Sequence, residues 1–251
     1  MKKYGFYLCA AAAIALIGCK DDVVVEKTVT PAQTGDEITF GSSLTDIEEQ
    51  TRTIYGDEPV GGAYPVTWEE GDQIAIYCPE ASNGNMVYYK VTPDGKDASH
   101  SSAVTKVNPD QAGLQWGQKD EHHFSAFYPA DRIVGLQNGK ITAEIPVEQT
   151  PLSWKSTPNG AGTTYTGVAN TDYAFMWAYD THNKSKGGDV ALNFKPWVTI
   201  LDVEINGPET ADAAIKMSSV QLVSTTGETL NGQFTMDFTA AVSYTHLTLP
   251  T

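Results

Sequence analysis

Apolar and polar residues alternate with a period of two in short runs along most of this chain. That spacing places successive side chains on opposite faces of a strand. The runs are 37–40 (EITF), 73–77 (QIAIY), 86–91 (MVYYKV), 123–128 (HFSAFY), 140–145 (KITAEI), 173–178 (YAFMWA), 190–194 (VALNF) and 198–205 (VTILDVEI). Turn-forming residues separate them: Asn83-Gly84-Asn85, Pro93-Asp94-Gly95, Asn138-Gly139, Asn159-Gly160 and Gly187-Gly188. Asn138-Gly139 between apolar runs is the strongest hairpin signal, because both residues tolerate positive φ. Helical periodicity is confined to 45–50 and 210–216, each a turn or two. The pattern predicts an all-β fold, a sandwich rather than a βαβ unit. Parity within 123–128 puts Phe124 and Ala126 on one face and Ser125 and Phe127 on the other, with Tyr128-Pro129 closing the strand. In Gly71-Asp72 the glycine supplies positive φ and the aspartate accepts backbone N–H groups at the start of a strand. Trp68 and Trp116 read as core plugs, with a ligand-stacking tryptophan as the sharper alternative.

The ends of the chain follow other rules. Lys2 and Lys3 precede an apolar run at 6–17. It is shorter than the ~20 residues of a membrane-spanning helix and has the flanks of a secretory signal. The run ends in Leu16-Ile17-Gly18-Cys19, which resembles a lipobox: Gly18 fits the cleavage position and Cys19 the lipid acceptor. An ordinary signal peptide with a chance cysteine is the alternative. Lys20-Asp21-Asp22 is similar to the signal that exports Bacteroidetes lipoproteins to the cell surface; a solvated tether is the plainer alternative. Residues 242–251 (VSYTHLTLPT) break the preceding alternation and resemble a translated transposon-end sequencing adapter. They are set aside as an assembly artefact, a native Thr-rich final strand being the alternative, and the natural chain is expected to continue.

Charge narrows the function classes. The formal net charge is −15, and removing Lys2 and Lys3 with the signal takes it to −17. Such a surface repels phosphate backbones, so nucleic-acid binding is disfavoured. Of three cysteines, Cys9 leaves with the signal and Cys19 carries lipid, so only Cys78 remains as a thiol. It reads as a buried small hydrophobe rather than a nucleophile. There is no disulfide framework and no zinc-type Cys/His spacing. His122 and His123 are adjacent on one predicted strand and point to opposite faces, which argues against a shared metal ion. Asp94-Gly95-Lys96-Asp97 lacks the acids of a calcium loop. No nucleophile elbow or carboxylate pair stands out, so neither an enzyme nor a cofactor is expected.

Several motifs in order resemble the fimbrillin-like family of Bacteroidetes surface lipoproteins. They are Ile38-Thr39-Phe40, Thr51-Arg52, Trp68 to Ile76 (WEEGDQIAI), Leu114-Gln115-Trp116, Phe124 to Pro129 (FSAFYP), Gln149, Asp172 to Met176 (DYAFM) and Val190 to Pro196 (VALNFKP). The chain departs where many members carry a histidine and this one has Lys195-Pro196. The resemblance implies a transthyretin-like Greek-key β-sandwich in two domains, the first complete and the second truncated. The expected divisions are a signal peptide at 1–18, a lipidated tether or first strand at 19–36, a sandwich at 37–208, the start of a second domain at 209–241 with strands at 219–224 and 232–238, and the artefact at 242–251. It also implies a structural or adhesive pilus subunit, anchored to outer-membrane lipid through Cys19 at the cell surface. Partners would be other subunits, bound by donor-strand pairing, and host or bacterial surface ligands. In pilus-forming members a protease cuts after an arginine, removes the first strand and opens a groove for a neighbour's strand. Arg52, followed by Thr53, is the candidate cut; a solvent-facing residue with no processing role is the alternative. The competing functional class is a glycan-binding surface lipoprotein, stacking exposed Trp or Tyr on sugar rings.

Overall fold

The computed structural model describes residues 30–44, 66–84, 86–137, 139–159, 162–168, 170–198, 203–205 and 218–238. Twelve strands and three 3-10 turns make up the regular structure of these residues, so the fold is all-β. In chain order the strands are β1 (Phe40–Leu44), β2 (Gln73–Tyr77), β3 (Met86–Pro93), β4 (Ser101–Lys106), β5 (Glu121–Tyr128), β6 (Gly135–Gln137), β7 (Lys140–Ile145), β8 (Ser153–Asn159), β9 (Gly162–Val168), β10 (Met176–Asn183), β11 (Val190–Pro196) and β12 (Gly232–Asp237).

Seven strands form one sheet in the order β1-β11-β10-β5-β2-β3-β4. The pairing is antiparallel except at β1, which runs parallel to β11 with Phe40 opposite Val190 and Leu44 opposite Phe194. The sheet curls until its two ends meet: Ser43 bridges His100, and the Leu44 N–H donates to the Ser99 carbonyl at 2.9 Å. Its concave side holds the larger core, in which Phe40, Trp68, Ile74, Ile76, Tyr89, Trp116, Phe124, Leu192 and Phe194 are all buried.

A three-stranded sheet, β12-β7-β6, covers the outer face of β2, β5 and β10. Between the layers lies a second core of Tyr77, Phe127, Ile141, Ala143, Phe175, Phe234, Met236 and Phe238. This double coverage explains why β2 and β5 are buried almost continuously. Phe124 and Ala126 enter the first core and Phe127 the second, as their parity requires. β8 and β9 form a separate two-stranded ribbon.

Several strands fall where alternation places them, with β2 at 73–77 and β7 at 140–145. β6 and β7 make the expected hairpin across residues 138–139, with Gly139 at φ 73°. Gly71 has φ 90°, and Asp72 Oδ2 accepts the Glu69 N–H at 2.8 Å. Other expectations need correction. The first strand begins at Phe40, and Glu37 makes only an isolated bridge to Gln115. Residues 171–173 form a 3-10 turn instead of opening a strand, because the Asn170 side chain accepts the Asp172 N–H and winds the chain there. Neither 203–205 nor 219–224 is in a strand, and Val203, Ile205, Val220 and Leu222 are exposed. The strand at 232–237 does form, and it pairs with β7 and completes the second core.

Candidate functional site at the first strand

β1 sits between two edges and is held differently by each. On one side it follows β11 in parallel over five residue pairs. On the other it meets the start of β4, where the Ser42 N–H donates to Ser101 Oγ at 2.8 Å. Its side chains alternate: Phe40, Ser42 and Leu44 are buried while Gly41 and Ser43 are half-buried. Ile38, two residues earlier, continues the inward row and is also buried. Phe40 meets Tyr89 edge-on at 5.2 Å between ring centroids and Phe124 at 5.7 Å. Such aromatic edge contacts add to the burial of apolar area. Ser42 is the exception, a buried hydroxyl with no hydrogen-bond partner for its Oγ among the described residues.

The segment leading into β1 is stitched to two loops. Ile38 N–H donates to the Leu114 carbonyl, Trp116 N–H to the Asp36 carbonyl and Gly35 N–H to the Trp116 carbonyl, at 2.8, 2.9 and 2.8 Å. The Lys184 ammonium donates to Thr34 Oγ1 and to the Gly117 carbonyl, each at 2.8 Å. Asp189 accepts the Thr39 hydroxyl. The seat of the strand is therefore built by residues 114–117, β4, β11 and the turn at Lys184. Tyr89, whose hydroxyl accepts the Leu114 N–H at 2.8 Å, is raised by burial to about 12 and stays neutral.

His122 and His123 part as strand parity requires. His122 is buried, edge-on to Trp116 at 4.8 Å, and its Nε2 accepts the Gly117 N–H at 2.9 Å. Burial holds its pKa below the ordinary histidine value. His123 lies on Glu80, with Nδ1 at 3.3 Å from Oε1. Cys78 is buried, and burial pushes its thiol up to about 12. Among the described residues no three His, Cys, Asp or Glu side chains converge on a position for a metal ion. A polar cleft of about 140 Å³ is lined by Glu69, Asp72, Tyr128, Asp131, Arg132 and Asp172. Its groups serve the fold: the Tyr128 hydroxyl donates to Asp72 Oδ1 at 3.0 Å, and Arg132 pairs with Asp172 and lies over the Tyr173 ring.

Trp68 and Trp116 are both core residues. Trp68 packs edge-on against Tyr128 and Phe194, and Trp116 against His122 and Phe124, so neither offers a face to a ligand. Cys19, Lys20, Asp21, Asp22, Arg52 and Thr53 lie outside the described residues. The contributions of Ser101, residues 114–117 and Lys184 to the seat had no signal in the alternation, because loops and a serine-rich strand supply them. The family model described as fimbrillin-like matches residues 51–247. That range begins after β1 and extends into 242–251. No curated protein and no solved structure gives a significant match.

Proposed function

The chain belongs to the fimbrillin-like family, and from that premise we propose that it is a surface fimbrial subunit assembled by exchange of β1 for a neighbour's strand. One observation carries this reading. β1, the first strand among the described residues, is seated between β11 and β4, with its apolar side chains in the main core and no turn joining it to either neighbour. Arg52 follows Leu44 by eight residues, so a cut there would free β1 from everything after it. Release would expose the apolar positions now filled by Ile38, Phe40 and Leu44 and the unpaired backbone of β11. An incoming strand satisfies both needs at once. At ~1.5–3 kcal/mol per buried large apolar side chain, those three contribute about 5–9 kcal/mol to holding whichever strand fills the slot.

In the same reading Cys19 carries the lipid and Lys20-Asp21-Asp22 directs the subunit to the outer surface. Cleavage at Arg52 then severs anchor and first strand together from the rest of the subunit, so that both leave when a neighbour's strand replaces β1, while an uncut subunit stays at the membrane. No catalytic role is part of this reading, in keeping with a structural-subunit family. The test is limited digestion with an arginine-specific protease, followed by electron microscopy and N-terminal sequencing. Cleavage before Thr53 accompanied by filaments supports strand exchange. A chain carrying its natural C-terminal continuation that is cut there and stays monomeric refutes it.

A further inference from the structure

The β8–β9 ribbon stands apart from the two-layered body. Among the described residues it pairs with no other strand, and its described side chains at 153–158 and 163–166 are all exposed. Register places Trp154 opposite Gly167 and Ser156 opposite Tyr165, so Trp154 and Tyr165 lie diagonally on one face. A Cβ built on Gly167 would lie 2.9 Å from Pro151 Cγ and 3.4 Å from Trp154 Cζ3, which shows the indole and the proline lying across the glycine. Trp154 is 56% exposed and Tyr165 67%. The other face carries Lys155, Thr157, Thr164 and Thr166. A two-stranded ribbon is marginal in water without something packed on its apolar face. Trp and Tyr left open to solvent are the residue types that anchor interfaces.

Charge identifies the occupant. Residues 149–171 contain one lysine and no acid, while all 31 aspartates and glutamates of the chain lie outside that stretch. Two copies of the acidic body repel each other, and the ribbon is an extended exposed surface without the repelling charge. We propose that the β8–β9 ribbon is a docking arm that lays its Trp154–Tyr165 face on the acidic body of a second copy of this chain. The choice of a second copy rests on the subunit reading above. Arm and receiving surface differ, so the contact is heterologous and propagates along a row of subunits rather than closing a dimer. It also acts beside strand exchange, through side chains that a cut at Arg52 does not touch.

The test uses the full chain carrying Arg52→Ala, in which exchange cannot start, so that self-association reads the arm alone. Sedimentation velocity should show concentration-dependent association. The Trp154→Ala/Tyr165→Ala pair should weaken it by about tenfold or more, as loss of aromatic anchors does. Both residues are exposed, so the unfolding midpoint should not move. Ser156→Glu, which puts an acid on the docking face opposite Tyr165, should weaken association in the same direction. A photo-crosslinker placed at Tyr165 should join a second copy at residues outside the ribbon. A monomer at every concentration, association indifferent to the double substitution, or crosslinks confined to ribbon on ribbon would overturn the proposal. So would glycan-array binding that needs Trp154 in a chain that does not self-associate. If the Arg52→Ala chain associates through the arm but the cut chain forms no filament, strand exchange fails and the arm stands.

Discussion

Truncation of Phe40 to alanine tests whether β1 is a structural part of the main core or a strap laid over it. Phe40 is 5% exposed and fills the space between Tyr89 and Phe124. Large-to-small changes at such sites lose the transfer free energy of the ring and leave a cavity that the fold only partly closes, together about 3–5 kcal/mol. With domain stabilities of ~5–15 kcal/mol, that is a large fraction of the whole. The matched control is Ser42→Ala two residues along the same inward row. It removes a buried hydroxyl whose oxygen has no partner among the described residues, so it should be neutral or slightly stabilising. Urea unfolding of the uncut chain, followed by tryptophan fluorescence with its denaturant slope fixed, measures both. A loss below about 1 kcal/mol for Phe40→Ala would mean that the core closes without β1, and the groove argument would fall with it. A Ser42→Ala loss as large as that of Phe40→Ala would show that the inward row does not carry its stability through apolar burial.

Other outcomes follow from the same contacts. His122 is held below its ordinary pKa by burial, so the unfolded chain binds the extra proton first as pH falls; stability should drop as pH passes below about 6.5, and His122→Asn should flatten that slope in thermal melts. Gly117→Ala should be among the most damaging single changes, because its Cβ would lie 1.9 Å from the Glu80 carbonyl, and the Gly117 N–H to His122 bond would be forced apart; a fall in thermal midpoint with loss of Trp116 burial checks it. Cys78, buried and raised to about 12, should react with a thiol reagent only at the rate of unfolding; rapid native-state labelling would refute the burial argument.

Alternation was sufficient where apolar residues fill a packed face. β2, covered on both sides, and β7, with Ile141 and Ala143 turned inward, illustrate this, as does the parity of Phe124 and Phe127. It was blind to β4 (SSAVTK) and to β8 and β9, whose side chains face solvent and whose serines, threonines and glycines carry no apolar period. It over-read 203–205 and 219–224, where Val and Leu alternate yet pair with no strand among the described residues, because period-2 spacing records the capacity to pair and not the presence of a partner. At 171–173 a local side-chain bond from Asn170 won over an apolar run. The seat of β1 was legible only in part. Ile38 and Phe40 announced an inward face, but the parallel register with β11 and the contact with β4 depend on how the sheet curls.

That curl decides what removing β1 would do. An edge strand on an open sheet can leave and expose one backbone edge, which a short polar surface tolerates. β1 is bordered on both sides, so its departure uncovers β11 on one side, the Ser99 carbonyl and Ser101 hydroxyl on the other, and Phe124 and Tyr89 at the floor. A slot of that kind is costly when empty and specific when filled. The filler must run parallel to β11, carry large apolar residues at the Ile38, Phe40 and Leu44 positions, and keep a small residue at the Ser42 position. The hydrogen bonds from 35–38 to residues 114–116 and the Lys184 bridge add contacts that a replacing strand has to equal or forgo. On the proposed reading, proteolysis at Arg52 therefore does not by itself release β1. It removes the covalent tie to the rest of the subunit, and the incoming strand wins only by matching the same row of pockets while the old one, no longer tethered, gains entropy on leaving.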